Sequence, residues 1–310
     1  MLLLTDRDVG ACLPMPYAVA AMREALTGRA AGQLVSAPRA GMPFGDAGLV
    51  WTPGGFRDTG ALGLRLYLTG VARQDQIVAL WDAATGELRC VALGPTIGRL
   101  RTGAIGGVAI DAMARQDASV IGVVGFGAQA LHQVDAAIAV RPIRRVQAYR
   151  RDREELARLA AECAARWGVE VVRAQGAREA VEGADIVITA TSAQTPVIAA
   201  GWLRQGAHVN ALGPKYRGRQ EIGLDLVERA ALLACDFPEQ YRSEEAFFLH
   251  GTPHLDRMQD LAALAGDGPR RGPSDLTLFL SHGLAGSEVR LLEHALREAV
   301  RRGIGREVSI

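Results

Sequence analysis

The chain has 310 residues, 49% of them hydrophobic and 22% charged, enough to bury a large core and to divide into two domains. Its 35 basic and 34 acidic residues leave a formal charge of +1, so no net field favours nucleic acid or an anionic membrane, and any anion selectivity must be local.

The start, Met1-Leu2-Leu3-Leu4-Thr5-Asp6, is briefly apolar and has no basic flank, and no later run reaches membrane-spanning length, which predicts a cytoplasmic protein. A helical composition over Tyr17 to Ala31 is followed by Ala61 to Thr69, whose alternation of period two predicts a half-buried strand. Gln76 to Trp81 and Leu88 to Leu93 read as strands joined through Asp82-Ala-Ala-Thr-Gly-Glu87, a hairpin geometry because Gly86 can take positive φ. Ile105, Val108, Ala109, Ala112 and Met113 recur at helical spacing, predicting a helix over Arg101 to Arg115 that leads into a second domain.

From Ser119 onward strand and helix patterns alternate. Strands are expected at Ser119 to Val124, Arg145 to Tyr149, Val169 to Arg173, Asp185 to Ala190, His208 to Leu212 and Ala231 to Ala234. Helices are expected at Ala128 to Ala139, Glu154 to Trp167, Ala177 to Val181 and Ser287 to Arg301. Repeated βα units predict an α/β protein: a Rossmann-type parallel-sheet domain over 115–286, and a smaller α+β domain made of 1–114 with the C-terminal helix, 287–310. Cys12, Cys90, Cys163 and Cys235 are far apart with no CxxC pair, which predicts reduced structural thiols and argues against a metal site. His250 and His254 flank a Gly and a Pro, not the helical spacing of a ligand pair, and no third ligand suggests itself.

Val120-Ile-Gly-Val-Val-Gly125-Phe126-Gly127-Ala128-Gln129-Ala130 is a buried strand running into GxGxxA and a helix, the setting a dinucleotide fingerprint requires. Gly125 permits the tight turn, Gly127 the approach of a pyrophosphate to the backbone, Ala130 close helix packing, and the helix start offers free N–H groups to an anion. Arg150 and Arg151 stand after the second strand, where NAD enzymes place a carboxylate; two guanidinium groups there suit a 2′-phosphate and favour NADP over NAD. The alternative is that these arginines are solvated and Asp152 is the ribose carboxylate of an NAD site.

Arg101-Thr-Gly-Ala before a helix, Gly125-Phe-Gly-Ala-Gln-Ala130 and Ala184-Asp-Ile-Val-Ile-Thr-Ala-Thr191 together resemble the ornithine cyclodeaminase and mu-crystallin family. Leu4 to Val9, Pro38-Arg39, His208 to Gly213, the Glu221 segment and Phe279 to Ala285 follow in the family's order, so the resemblance spans nearly the whole chain. It implies hydride transfer at the α-carbon of a small imino or amino acid, a smaller domain that binds substrate and pairs in a homodimer, and a cofactor that also meets Thr191 and Ser192. It leaves three activities in order: reduction of an α-imino acid or reversible amino acid dehydrogenation, a catalytically weak ligand-binding protein of mu-crystallin type, and a cyclodeaminase.

The resemblance assigns substrate binding to Arg39, Arg65 and Arg101, with His282 lining the pocket; a planar guanidinium can grip a carboxylate through two parallel donors. Arg65 stands where the family has Lys, keeping the charge but not a usable proton, which leaves it a catalytic candidate in a binding or electrostatic role. Lys215 stands where cyclodeaminases carry a catalytic Asp, which removes support for ring-closing deamination and makes Lys215 a candidate proton donor or substrate contact. The bland readings are a solvated cation on the outward strand face for Arg65, surface ion pairs for Arg39 and Arg101, a solvent-facing loop lysine for Lys215 and a loop histidine for His282. If the cations do gather, they predict a substrate with extra negative charge, or one carboxylate beside a neutral imine, and rejection of an ammonium side chain.

Overall fold

A computed structural model describes residues 1–73, 75–267 and 271–309. The chain forms two compact units, Met1–Ala104 with Leu284–Ile310, and Ile105–Gly283. The division falls inside the helix Thr96–Met113, earlier than the cut after residue 114 expected from sequence.

The first unit is built on an eight-stranded sheet ordered Arg306–Glu307, Leu2–Leu4, Leu88–Leu93, Gln76–Asp82, Ala61–Thr69, Ala47–Phe56 and Leu34–Ser36, with Ala40–Phe44 also paired to Ala47–Phe56. In Ala61–Thr69 the alternation works as expected: Ala61, Gly63 and Arg65 are buried while Leu62 and Leu68 are exposed. The buried face lies under the helix Ser287–Arg302, whose Val289, Leu291, Leu292, Ala295 and Leu296 are buried. Two glycines set the approach. A Cβ on Gly54 would stand 2.5 Å from the Gly286 Cα, so strand and helix start meet backbone to backbone there, and one on Gly63 would stand 3.0 Å from the Val289 side chain. The helix Thr96–Met113 starts a turn earlier than its hydrophobic spacing suggests, because the Thr96 N–H donates to Asp6 Oδ1 at 2.8 Å. That cap comes from 90 residues away in sequence, beyond the reach of any local pattern.

The second unit carries an eight-stranded, wholly parallel sheet ordered Glu170–Arg173, Arg145–Tyr149, Val120–Val124, Ile186–Thr189, His208–Ala211, Thr277–Leu280, Leu232–Cys235 and Gln259–Asp260. Apolar cores lie on the faces of this sheet, as parallel sheets demand. The expected alternation of units breaks after His208–Ala211: Thr277–Leu280 inserts beside it, ahead of Leu232–Cys235. Beneath these strands His208 Nε2 lies 2.7 Å from Asn210 Oδ1 and Nδ1 2.8 Å from Thr277 Oγ1, while Asn210 Nδ2 donates to Gly106 O and Gln133 Oε1. Complete burial pushes His208 down to about 3, so the imidazole is neutral and donates through Nε2. All four cysteines are buried; burial pushes Cys90 up to about 12 and Cys163 to about 11. Among the described residues no helix is long and apolar enough to cross a membrane.

Candidate functional site

Gly125 takes φ +92°, and a Cβ there would come 2.5 Å from the Ala190 carbonyl, so the turn after Val120–Val124 admits only glycine. Gly127 N-caps the helix Ala128–Val140 without any side-chain cap, leaving the first-turn N–H groups to an outside acceptor. A Cβ on Gly127 would meet nothing nearer than Arg150 Nη1 at 3.7 Å, so the loop is open on the side a pyrophosphate would occupy. Ala130 is fully buried, as helix packing requires, while Ala128 and Gln129 lie nearer the surface on the first turn. Phe126 contributes through its backbone: its ring is buried edge-on to Trp167, and its carbonyl accepts from Arg150 Nη1 at 3.1 Å.

A cavity of about 550 Å³ runs over this loop, lined among others by Arg150, Arg151, Asp152, Thr191 and Ser192. Asp152 is committed locally: it N-caps the helix Arg153–Trp167, accepting from the Glu155 N–H at 3.0 Å. Arg151 is exposed at the rim. Glycine cradle, uncapped helix start and paired guanidinium groups fit a dinucleotide with its pyrophosphate on the helix and its ribose at the arginines.

Farther along the same carboxyl edge of the sheet, the fully buried Glu221 joins two loops. Its Oε2 accepts from the Thr191 N–H at 2.9 Å and hydroxyl at 2.8 Å; its Oε1 accepts from Thr189 Oγ1 at 2.8 Å and from the Gly213 N–H. Lys215 follows in a short hairpin, Lys215–Tyr216 with Arg219–Gln220. It is 3% exposed, and its Nζ donates to Gly213 O at 2.7 Å; a solvent-facing loop lysine is not what the fold contains. His282 follows Thr277–Leu280, the neighbouring strand. Its N–H donates to Asp236 Oδ1 at 3.0 Å, and that fully buried carboxylate also takes the Gly283 N–H at 2.7 Å and the Ser281 hydroxyl at 3.3 Å.

In the first unit the sequence-predicted cations Arg65 and Arg101 are brought together on one carboxylate oxygen. Glu288 Oε1 accepts from Arg65 Nη1 at 3.3 Å and from Arg101 Nε and Nη2 at 3.0 and 2.5 Å. Arg65 points inward, 9% exposed, with Nε donating to Gln76 Oε1 at 2.8 Å and its guanidinium 4.2 Å from the Tyr67 ring centroid. Arg101 lies in the second turn of its helix, not at its start. Burial lowers Arg65 from the usual range against the pull of Glu288. Burial also pushes Glu288 upward, but Arg101 and Arg65 outweigh it and hold the carboxyl below its usual range. Glu288 Oε2 is buried without a hydrogen-bond partner among the described residues. Arg39 lies half-buried in the link between Leu34–Ser36 and Ala40–Phe44.

Glu221, Asp236 and Glu288 carry no role in the sequence reading. Two signals were available: Glu288 is an acidic residue in the first turn of a helix, and Asp236 directly follows an apolar strand run in a parallel sheet.

The profile of the ornithine cyclodeaminase/mu-crystallin family matches residues 2–302. A Delta(1)-pyrroline-2-carboxylate reductase of Bacillus cereus is 30% identical over 242 residues, which cover 75% of this chain and 74% of that protein. The structure of the Thermococcus litoralis Delta(1)-pyrroline-2-carboxylate reductase in complex with NADH and L-proline superposes with a TM-score of 0.90 at 27% identity, covering 99% of this chain and 100% of the other. An archaeal alanine dehydrogenase dimer with bound NAD gives a TM-score of 0.88 at 26% identity, covering 100% and 99%.

Proposed function

The chain belongs to the ornithine cyclodeaminase/mu-crystallin family, and from that premise we propose that it is an NADPH-dependent reductase of small α-imino acids, cyclic ketimines foremost, able to run in reverse as an amino acid dehydrogenase. The carrying observation is the buried pair Arg65 and Arg101 in a chain that also holds an intact dinucleotide cradle. The bound nicotinamide supplies the hydride; the side chains have to hold the carboxylate, keep the nitrogen oriented and deliver a proton.

Arg65, Arg101 and Arg39 recognise the carboxylate, and neither Arg65 nor Arg101 acts as an acid, because a guanidinium keeps its proton. Glu288 offsets one of these charges, which favours a monocarboxylate beside a neutral imine over a substrate of several anions. Lys215, in the place of a cyclodeaminase's carboxylate, disfavours a distal ammonium. The preference for NADPH rests on Arg150 and Arg151 at the cavity and on the engagement of Asp152 as a helix cap.

The test is NADPH and NADH oxidation with a panel of five- and six-membered cyclic imino acids, and with keto acids plus amines. Wild type is expected to reduce a cyclic imino acid with NADPH preferred. Arg151→Asp is expected to raise KM for NADPH at least about tenfold while changing that for NADH little, through loss of a charge-assisted contact to phosphate. A wild-type preference for NADH would reassign the ribose site, and the absence of turnover across the panel would remove the enzyme reading.

A further inference from the structure

Reduction of a C=N bond leaves an electron pair on nitrogen that needs a proton, and neither Arg65 nor Arg101 can give one. We infer that His282 is the proton donor to the imine nitrogen, a catalytic residue whose backbone is held by a carboxylate clamp and whose imidazole is flanked by two tyrosines. The inference rests on the reductase reading above and concerns only the second unit.

Its first support is topological. The cavity over Arg150 and Arg151 marks the adenosine end of the carboxyl edge, after Arg145–Tyr149. From there the sheet runs through Val120–Val124 and Ile186–Thr189 to His208–Ala211 and Thr277–Leu280. A dinucleotide laid across that edge sends its reactive end toward the loops after the last two strands, and those loops carry Lys215, Tyr216 and His282.

The second support is the construction of the loop. Asp236 takes the Ser281 hydroxyl and the N–H groups of His282 and Gly283 on one fully buried carboxylate. The Tyr241 ring lies 5.0 Å from the imidazole at 60°, with its hydroxyl donating to Leu280 O at 2.8 Å, and Tyr216 stands edge-on at 6.5 Å and 77°. Backbone and ring of His282 are thus held from several sides while the residue remains half-buried, so water can restore its proton. Lys215 is a weaker candidate because its Nζ already donates to the carbonyl of its own turn, whereas imidazole is the side chain that ordinarily gains and loses a proton near neutrality.

In the step, hydride adds to the imine carbon, the C=N pair moves to nitrogen, and nitrogen takes the proton of the His282 imidazolium. Neutral His282 is then reprotonated from solvent; in reverse the neutral ring accepts the proton from the amine.

The experiment compares pH profiles of kcat and kcat/KM for wild type, His282→Gln and Lys215→Met, alongside NMR titration of the His282 ring with and without L-proline and NADP+. For His282→Gln, kcat should fall about 100-fold with KM within about twofold and the alkaline limb of the reductive profile lost. NADPH affinity should be unchanged, and the His282 resonances of wild type should shift on adding L-proline. Wild-type turnover with an unaltered profile in His282→Gln overturns the inference, as does loss of the limb in Lys215→Met alone or an imidazole indifferent to L-proline. A wild type that reduces no imine overturns it differently, by removing the reductase reading itself.

Discussion

Glu288 holds two guanidinium groups on a single oxygen, and its removal would take this buried counter-charge from both. Breaking a buried pair by deleting one partner costs about 3–5 kcal/mol, so Glu288→Gln is expected to lose stability of that order in urea at pH 7. The folded carboxyl sits below its usual range, so its contribution is complete above the unfolded-state carboxyl pKa and disappears as pH falls through the lower folded value. The gap between wild type and Glu288→Gln should therefore narrow on acidification from about pH 5 downward; a gap independent of pH would show that the carboxylate charge is not the stabilising element. The two arginines were visible in the sequence because they fall at positions that the family resemblance assigns to substrate binding. The sequence hid their counter-ion, which is 187 residues from Arg101 and looks like any acidic residue at a helix start.

Single elements in this chain take their positions from distant partners. The helix Ser287–Arg302 can lie against Ala47–Phe56 only because Gly54 and Gly286 both lack side chains. Gly54→Ala is expected to cost about 1–3 kcal/mol through overpacking. Since that helix carries Glu288 in its first turn, the variant should raise KM for the imino acid several-fold while NADPH affinity, set in the other unit, stays put. Denaturation curves and separate KM measurements check both halves. The same long-range dependence explains what was legible. Strands Ala61–Thr69, Leu88–Leu93 and Arg145–Tyr149 and helix Ala177–Val181 follow their local pattern residue for residue. The start of Thr96–Met113 depends on Asp6, and the place of Thr277–Leu280 depends on sheet order, so neither could be read locally. The turn at Gly125 and the open approach at Gly127 were legible because these glycines answer to backbone geometry alone. The latch of Glu221 and the clamp of Asp236 were not, since their chemistry lies in which loops they join.

At the scale of the whole molecule, one sheet face of the first unit carries a row of partly exposed apolar side chains among the described residues. Leu62, Leu68, Ile77 and Leu93 are 50, 42, 41 and 41% exposed on that face, with Leu66 paired to Ile77 and Ile77 to Leu93 across neighbouring strands. The homodimer that the family resemblance implies would find its contact surface in this apolar row on an eight-stranded sheet. A second copy across it would bury the row, and an alanine dehydrogenase of similar fold is a dimer. Leu68→Lys with Ile77→Lys is expected to give monomers in equilibrium sedimentation at micromolar concentration where wild type gives dimers; a monomeric wild type would remove the proposal.

The buried thiols are distributed two to a unit, Cys12 and Cys90 in the first, Cys163 and Cys235 in the second. A thiol reacts as the thiolate, and burial keeps Cys90 and Cys163 protonated far above neutral pH. Alkylation of the native protein therefore has to wait for the surrounding structure to open. Each unit carries its own chemical clock, and pulse labelling followed by peptide mass analysis can time the breathing of one fold apart from the other without adding a probe to either.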